Sequence, residues 1–165
     1  MDENLNFEKM QEGIDKFNTK LNETKELLKS LKKSGNLTMS PFEIIKNENY
    51  LVIRVNIPRA TMKDLENYTN ALGDFDSYGV KNVIYDLSKV EHIDSTFLGQ
   101  IILLLKKIMQ MEGKVHIVSQ NESVKSLFVL TRLLSLLRAL PIFSSLDDAI
   151  ANLWFIIINQ KYNTN

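Results

Sequence analysis

Three side chains of the types that build a hydrolase triad lie within four positions of one another, namely His92, Asp94 and Ser95. A serine nucleophile needs a base within hydrogen-bond reach and a carboxylate that orients this base. A turn between a strand and a helix cannot easily direct three such close neighbours at one atom, and no G-x-S-x-G sequence surrounds the serine. The pattern therefore predicts no catalytic site, and we expect the chain not to be an enzyme.

The composition does not favour a metal site or a phosphate-binding site. The chain has two histidines, His92 and His116, and no cysteine, which leaves too few ligands for a common zinc site. His116 lies inside the apolar stretch 115–118, where we expect a packed structural histidine. The six glycines are scattered and form no loop that would hold a nucleotide phosphate. We therefore expect neither a metal ion nor another cofactor.

The charge balance and the longest apolar stretch bear on whether the chain binds nucleic acid or a membrane. Twenty basic residues balance twenty acidic ones, so there is no positive excess to attract nucleic acid or an anionic membrane. The longest apolar stretch, 127–140, contains Arg132 and Arg138 and is therefore predicted to be a core helix rather than a membrane span. The start of the sequence has no basic, apolar leader. We expect a cytoplasmic protein without direct membrane insertion.

Ser95 lies in a segment with a clear local pattern. The apolar run 83–87 is typical of a buried parallel strand, and a loop then leads to Asp94-Ser95-Thr96 at the start of an apolar helix. These three residue types commonly begin helices, so a capping role alone is one interpretation. Three in a row exceed what one helix start requires, and the following helix is apolar on more than one face. A surface that binds a partner is therefore the second interpretation.

Strands and helices alternate from residue 42 onward. Strands are predicted at 42–46, 50–57, 83–87, 115–118 and 142–143, and helices begin at Thr61, at Ser95 or Thr96, at Asn121 or Ser123, and at Leu146. The first helix is expected to run to just before Gly79, the third to near Pro141 and the last to about Ile158. This alternation predicts an α/β sandwich with a small, mixed and mostly parallel sheet, packed by about four helices.

The first 36 residues form a separate, heptad-patterned segment. Their apolar residues follow the alternating three-and-four spacing of a coiled-coil seam, with Thr24 filling the one gap, and comprise Phe7, Met10, Ile14, Phe17, Leu21, Leu28 and Leu31. A homodimer through this amphipathic helix is one interpretation, and packing of the helix on its own domain is the other. The predicted organisation is a helix at 1–36, a linker at 37–41, a domain at 42–158 and a tail at 159–165.

The predicted domain resembles the STAS family, best known from bacterial anti-sigma-factor antagonists. The family signature is a strand ending in Asp-Leu, a short loop, then Asp-Ser-Ser or Asp-Ser-Thr, Gly-Leu-Gly and a long apolar helix. The matching residues are Asp86-Leu87, Asp94-Ser95-Thr96 and Leu98-Gly99. The segments 113–115, 124–128 and 141–149 also resemble the family, so the similarity extends over residues 42–154 in the correct order.

The resemblance implies a STAS-like sandwich that acts as a switch. In switch-type members, a serine kinase that is itself an anti-sigma factor phosphorylates the first serine of the motif, and a phosphatase reverses this. By position, the implied phosphoacceptor is Ser95, with Thr96 as the second candidate. The implied partner surface comprises Asp86, Asp94, Ser95, Thr96, Phe97, Leu98, Gly99 and Gln100.

The sequence departs from the family pattern at three places. Phe97 stands where the family usually has glycine, which predicts a bulky ring beside the phosphorylation site. The segment 58–60, Pro-Arg-Ala, replaces a glycine-containing turn, and Arg132 replaces a common glycine. These departures leave an alternative function open, a STAS scaffold or dimerisation subunit of a stress-sensing or transport complex without a phosphorylation switch.

Overall fold

The fold is built from two units, one α/β and one helical. The computed structural model describes residues 2–33, 39–131 and 140–162, without the side chains of 2–6, 27, 28, 31–33 and 131. The elements are α1 Asp2–Lys33, β1 Phe42–Lys46, β2 Leu51–Val55, β3 Arg59–Ala60, α2 Leu65–Leu72, β4 Val83–Asp86, β5 His92–Ile93, α3 Ser95–Gln110, β6 Val115–Val118, α4 Glu122–Thr131, β7 Ile142–Phe143 and α5 Leu146–Tyr162. The α/β unit is Met39–Leu153, and the helical unit contains α1 and α5 from Trp154 onward.

The five-stranded sheet has the order β1-β2-β4-β6-β7. β1 and β2 form an antiparallel hairpin, and the other three pairings are parallel. The predicted mixed, mostly parallel sheet is therefore confirmed, together with the hairpin and the presence of an N-terminal helix. β2 ends at Val55, two residues before the predicted end, because the chain beyond it joins a second sheet.

Side chains of the sheet and of three helices form the core of the α/β unit. Ile53, Tyr85 and Ile117 lie opposite one another on β2, β4 and β6, and all three are fully buried. Tyr68 of α2, Ile101 of α3 and Phe128 of α4 belong to the same apolar cluster. Every residue of β4 and β6 is buried, which explains why both strands are mostly apolar without alternation, Asp86 and His116 being their polar residues.

A second, two-stranded sheet was not predicted from the sequence. β3 and β5 pair in parallel, with Arg59 opposite His92 and Ala60 opposite Ile93. Both strands have only two residues, which is too short for a periodic pattern to reveal them. This small sheet connects the segment after β2 to the residues just before Ser95.

The prediction of one helix from Thr61 to just before Gly79 is wrong. The segment contains a 3-10 turn at Met62–Asp64, then α2, then another 3-10 turn at Phe75–Tyr78. The break lies at Gly73, whose φ of 60° is readily adopted by glycine alone, and Asp74 caps the second turn by accepting a hydrogen bond from the N–H of Asp76. Phe75 is buried, as expected, but it belongs to the second turn.

Two predicted boundaries fall at or next to residues that the structure does not describe. The predicted end of the third helix near Pro141 follows residues 132–139, which lie outside the described part, as does Arg132. Of the predicted linker 37–41, only 39–41 is described. The last helix extends to Tyr162, so residues 159–162, predicted as part of a tail, are helical. Within the described ranges, no helix is long and apolar enough to cross a membrane.

His116 makes a specific contact on the face of the sheet opposite to that of Tyr85 and Ile117. Its side chain is buried, Nδ1 lies 3.0 Å from the carbonyl oxygen of Ala149 on α5, and the ring packs on Phe143. Burial lowers the pKa of His116 below its usual value, although the contact with Ala149 acts in the opposite direction. The folded protein therefore favours the neutral ring.

We expect this histidine to make the stability of the fold depend on pH. Because the pKa is lower in the folded than in the unfolded state, the contribution is complete above about pH 6.5 and is lost as the pH falls through the folded pKa. The slope is at most about 1.4 kcal/mol per pH unit. Urea unfolding between pH 5 and 8 should show this slope in the wild type and in His92→Gln, since His92 is exposed, but not in His116→Gln. Equal slopes in all three proteins would contradict the assignment.

Candidate functional site

Ser95 is the first residue of α3, and its side chain is exposed. Asp94 caps the helix, with Oδ1 accepting a hydrogen bond from the N–H of Phe97 at 2.8 Å. Its other oxygen, Oδ2, accepts from the N–H of Met62 at 2.8 Å. One carboxylate thus joins the start of α3 to the turn before α2, and Ser95 is the next residue along the chain.

Backbone hydrogen bonds hold the segment before Ser95 in place. The carbonyl of Pro58 accepts from the N–H groups of Glu91 and His92, at 2.8 and 3.0 Å, and the carbonyl of Ala60 accepts from the N–H of Asp94 at 3.0 Å. The departure from the family pattern at 58–60 therefore lies in the segment that positions Asp94 and Ser95. No local sequence signal indicates this contact, because about 30 residues separate its two sides.

The electrostatics of Asp94 follow from these contacts. The backbone N–H of Phe97, and then that of Met62, lower the pKa of Asp94 below its usual value because they stabilise the charged carboxylate. Asp94 is therefore ionised at neutral pH, and both of its oxygens accept hydrogen bonds from backbone groups. This is the geometry of a helix cap, whereas a hydrolase triad would require the carboxylate to orient His92.

Phe97 does not belong to the exposed surface, in contrast to its predicted place among the partner-binding residues. Its side chain is 0% exposed, and its ring centroid lies 5.2 Å from that of Tyr68 and 5.9 Å from that of Phe42. Since the ring points inward from the first turn of α3, it fills the core beneath Ser95. The ring of Phe97 therefore does not lie at the surface beside Ser95, contrary to the prediction from the sequence.

Asp86 likewise has a structural role, in contrast to its prediction as a partner-binding residue. The residue is 6% exposed, and its Oδ2 accepts from Nε of Arg54 at 2.9 Å. Its Oδ1 accepts from the hydroxyl and the N–H of Ser88, and Arg54 also pairs with Glu43 on the adjacent strand. A buried carboxylate needs such partners, and with them Asp86 has no free side to offer to another protein.

The remaining predicted residues lie on the first two turns of α3. Thr96 and Gln100 are exposed, and Leu98 and Gly99 are half-buried. Beside Gln100 an open groove of about 310 Å³ lies between α2, the turn at 75–78 and α3. Leu103, on the edge of the groove, is 58% exposed. We call the exposed residues Ser95, Thr96 and Gln100, together with this groove, the α3 surface.

The predicted dimerisation residues on α1 are divided between two environments. Phe7, Met10 and Ile14 are exposed, by 65%, 50% and 41%. Phe17 and Leu21 are half-buried, and Phe17 contacts Trp154 of α5 edge to face, at 6.1 Å between ring centroids. The side chains of Leu28 and Leu31 lie outside the described set. Part of the apolar stripe of α1 therefore contacts α5, and another part is exposed.

Two further groups bear on chemistry. The hydroxyls of Tyr68 and Tyr85 lie 2.7 Å apart in the core, and burial raises the pKa of Tyr68 to about 12 and that of Tyr85 well above its usual value. Both phenols are therefore protonated at neutral pH. Over the described positions, no three histidine, cysteine, aspartate or glutamate residues lie close enough together to hold a metal ion.

These features define a small α/β domain built on a mixed five-stranded sheet, with a capped and exposed helix start. The sequence model of the STAS domain matches residues 15–149, which is most of the chain. The chain therefore belongs to the STAS domain family. Among curated proteins, no sequence matches the chain significantly.

Solved structures with a similar fold come from several bacteria. A Thermotoga maritima protein assigned as an anti-sigma factor antagonist is 25% identical with a TM-score of 0.57, over 68% of this chain and 93% of that one. An anti-sigma factor antagonist from Mycobacterium paratuberculosis is 20% identical with a TM-score of 0.54, over 68% and 92%. The Bacillus cell fate determinant SpoIIAA in its phosphorylated form is 15% identical with a TM-score of 0.51, over 67% and 97%.

Proposed function

We propose that this chain is a non-enzymatic interaction module, of the anti-sigma-factor antagonist type, that phosphorylation of Ser95 switches. The observation that carries the proposal is the position of Ser95, exposed at the first residue of a helix whose cap is held from two sides. A kinase needs access to the hydroxyl, and a binding surface needs a fixed shape. The start of α3 combines both properties.

The fold should tolerate a phosphate at this position. Phosphorylation adds a charge of about −1.5 to −2 at neutral pH. The N–H groups in the first turn of a helix and the helix dipole favour negative charge there, although the ionised Asp94 next to it acts in the opposite direction. Because Ser95 is exposed, water also screens the added charge. We therefore expect the modification to leave the free energy of unfolding nearly unchanged.

A partner that binds the unmodified α3 surface would respond strongly. A contact made to a neutral hydroxyl becomes a contact to two negative groups, Asp94 and the phosphate, and like-charge contacts or unpaired desolvated charges weaken an interface by several kcal/mol. A loss of roughly 3 kcal/mol already lowers the affinity about a hundredfold. The switch would thus act on binding and leave the fold intact.

The family and its solved members support the choice of partner. Two of the similar proteins are described as anti-sigma factor antagonists, and SpoIIAA has been solved in a phosphorylated form. By this similarity, the partners of our chain are a serine kinase that is also an anti-sigma factor, and a phosphatase that restores the hydroxyl. The proposal places the protein in the cytoplasm, without nucleic-acid binding or membrane insertion, and requires no catalytic group of its own.

We expect phosphate on Ser95 in the protein isolated from its own cells, detected by intact-mass analysis and phosphosite mapping. In affinity measurements, Ser95→Ala should retain the partner, and Ser95→Asp should bind it roughly a hundredfold more weakly. Ser123→Asp is the matched control, because Ser123 is also exposed in the first turn of a capped helix, α4, where the side chain of Asn121 accepts from the N–H of Val124. This control variant should bind the partner like the wild type.

The stability of each variant separates loss of the switch from loss of the fold. Urea unfolding should place Ser95→Asp and Ser123→Asp within about 0.5 kcal/mol of the wild type, as for other surface substitutions. Absence of phosphate under all growth conditions, together with identical partners for Ser95→Asp and the wild type, would contradict the proposal. Ser95 would then be only a helix-start residue, and the scaffold function would remain.

A further inference from the structure

Part of the apolar stripe of α1 is used inside its own chain. Gly13 faces Ile158 of α5, where a Cβ on the glycine would lie 3.7 Å from Cδ1 of the isoleucine. Four residues further along α1, Phe17 contacts Trp154, which lies four residues further back along α5. The two helices therefore pack antiparallel, as a helical pair within one chain.

A second set of apolar residues on this pair is left exposed. Phe7, Met10 and Ile14 on α1 are 65%, 50% and 41% exposed, and Phe155 on α5 is 65% exposed. At 100° per residue, the exposed residues lie about 70–80° around each helix from its residues in the contact. The rotation is clockwise on both helices when each is viewed from its N-terminus. Because the helices run in opposite directions, both sets point to the same side of the pair. We call the surface formed by these four residues the α1–α5 face.

The size of the α1–α5 face matches what one half of a homodimer interface requires. An aromatic side chain has an area on the order of 200 Å², so the four residues together expose roughly 400 Å² of apolar surface. Two copies would bury roughly 800 Å² of apolar area, and since interfaces are about 60% apolar, the total would be near 1,300 Å². This total falls within the range of about 1,200–2,000 Å² for stable protein interfaces.

We propose that the α1–α5 face is the docking surface for a second copy of this chain. The α1–α5 pair of one copy packs face to face on the pair of the other through a two-fold axis, which gives four helices around a shared apolar core. The aromatic ring of Phe155 then takes part in the interface as much as Phe7 does. This inference does not depend on Ser95 or on its phosphorylation.

The heptad pattern alone would give a different dimer, a parallel coiled coil of two α1 helices. In that arrangement Lys20, at a g position, would face Lys25 at an e position of the other copy, and the like charges would repel. Phe17 would also have to lie in the seam of the coiled coil, although its ring already packs on Trp154 of its own chain. Both observations favour the four-helix arrangement.

Sedimentation equilibrium of the full chain, from about 1 to 100 µM, tests the proposal. We expect a dimer for the wild type, and for Met10→Glu and Phe155→Glu a dissociation constant at least roughly a hundredfold higher, because each places an unpaired charge in the interface. Leu103→Glu is the matched control, since Leu103 is 58% exposed on α3 and lies outside the face. This variant, like Ser95→Asp, should dimerise as the wild type does.

Two results of this experiment would overturn the proposal. A monomeric wild type over the whole concentration range would overturn the proposal. A dimer weakened by Met10→Glu but not by Phe155→Glu would also overturn it, and would favour the coiled coil of α1 alone. Circular dichroism of each variant at low concentration should show unchanged helix content, because the replaced side chains are exposed in the single chain.

Discussion

Replacement of Phe97 by alanine is expected to lower the free energy of unfolding of the α/β unit by about 3–5 kcal/mol, the usual range for a fully buried phenylalanine. The ring is 0% exposed and packs against Phe42 and Tyr68, whose rings also contact each other. Its removal leaves a cavity at the start of α3, between the rings of Phe42 and Tyr68. Domains of this size have a total stability of about 5–15 kcal/mol, so the loss is a large fraction of the whole.

Urea unfolding of Phe97→Ala and of Leu103→Ala would measure this effect. Leu103 lies on the same helix but is 58% exposed, so its truncation should change stability by no more than about 0.5 kcal/mol. A change below about 1 kcal/mol for Phe97→Ala would show that the ring does not support the core as its burial indicates. The test matters for function, because the family usually has glycine at this position and the ring lies beneath the proposed phosphorylation site.

Replacement of Gly113 by alanine is expected to destabilise the protein by about 3 kcal/mol or more, at the upper end for an overpacked site. A Cβ at this position would overlap the carbonyl oxygen of Lys81 and would lie 2.7 Å from Cγ2 of the buried Ile108. The first of these atoms belongs to the backbone that leads into β4, where Asn82 accepts a hydrogen bond from the N–H of Lys114. Neither neighbour can move without disturbing the centre of the sheet.

Gly99→Ala provides the matched control for this substitution. Gly99 lies within α3, and a Cβ there would meet no atom within 4 Å. Because alanine favours the helix more than glycine does, we expect a gain of about 0.5–1 kcal/mol in the free energy of unfolding. Thermal unfolding would detect the opposite signs of the two changes. Equal effects of Gly113→Ala and Gly99→Ala would show that the close approach at Gly113 does not affect the free energy of unfolding.

The position of the candidate site could be derived from the sequence because its signals are local. Asp94-Ser95-Thr96 follows an apolar strand and precedes an apolar helix, and such a pattern needs only a few neighbouring residues to be recognised. The alternation of strands and helices can also be recognised from neighbouring residues, and it predicted the mixed, mostly parallel sheet. The short strands β3 and β5 and the break at Gly73 were missed because two-residue strands and 3-10 turns leave no periodic pattern.

The roles of individual side chains at the site required the tertiary structure. Phe97 and Asp86 were predicted to face a partner, since nothing in their local sequence distinguishes an inward from an outward direction on an apolar helix or at a strand end. Their burial depends on residues far away in the sequence, with Phe42 packing on the first and Arg54 pairing with the second. The contact between Asp94 and the N–H of Met62 spans 32 positions and has the same origin.

The sequence by itself thus determined the fold class, the family resemblance and the place of Ser95 at a helix start, because hydrophobic period and capping act over a few residues. Only the tertiary structure decided which face of each element is covered. In the tertiary structure, Phe97 lies in the core and Asp86 pairs with Arg54. The apolar stripe of α1 is partly in contact with α5 and partly exposed. Burial is a property of pairs of elements that meet from distant parts of the chain, and no local pattern contains it.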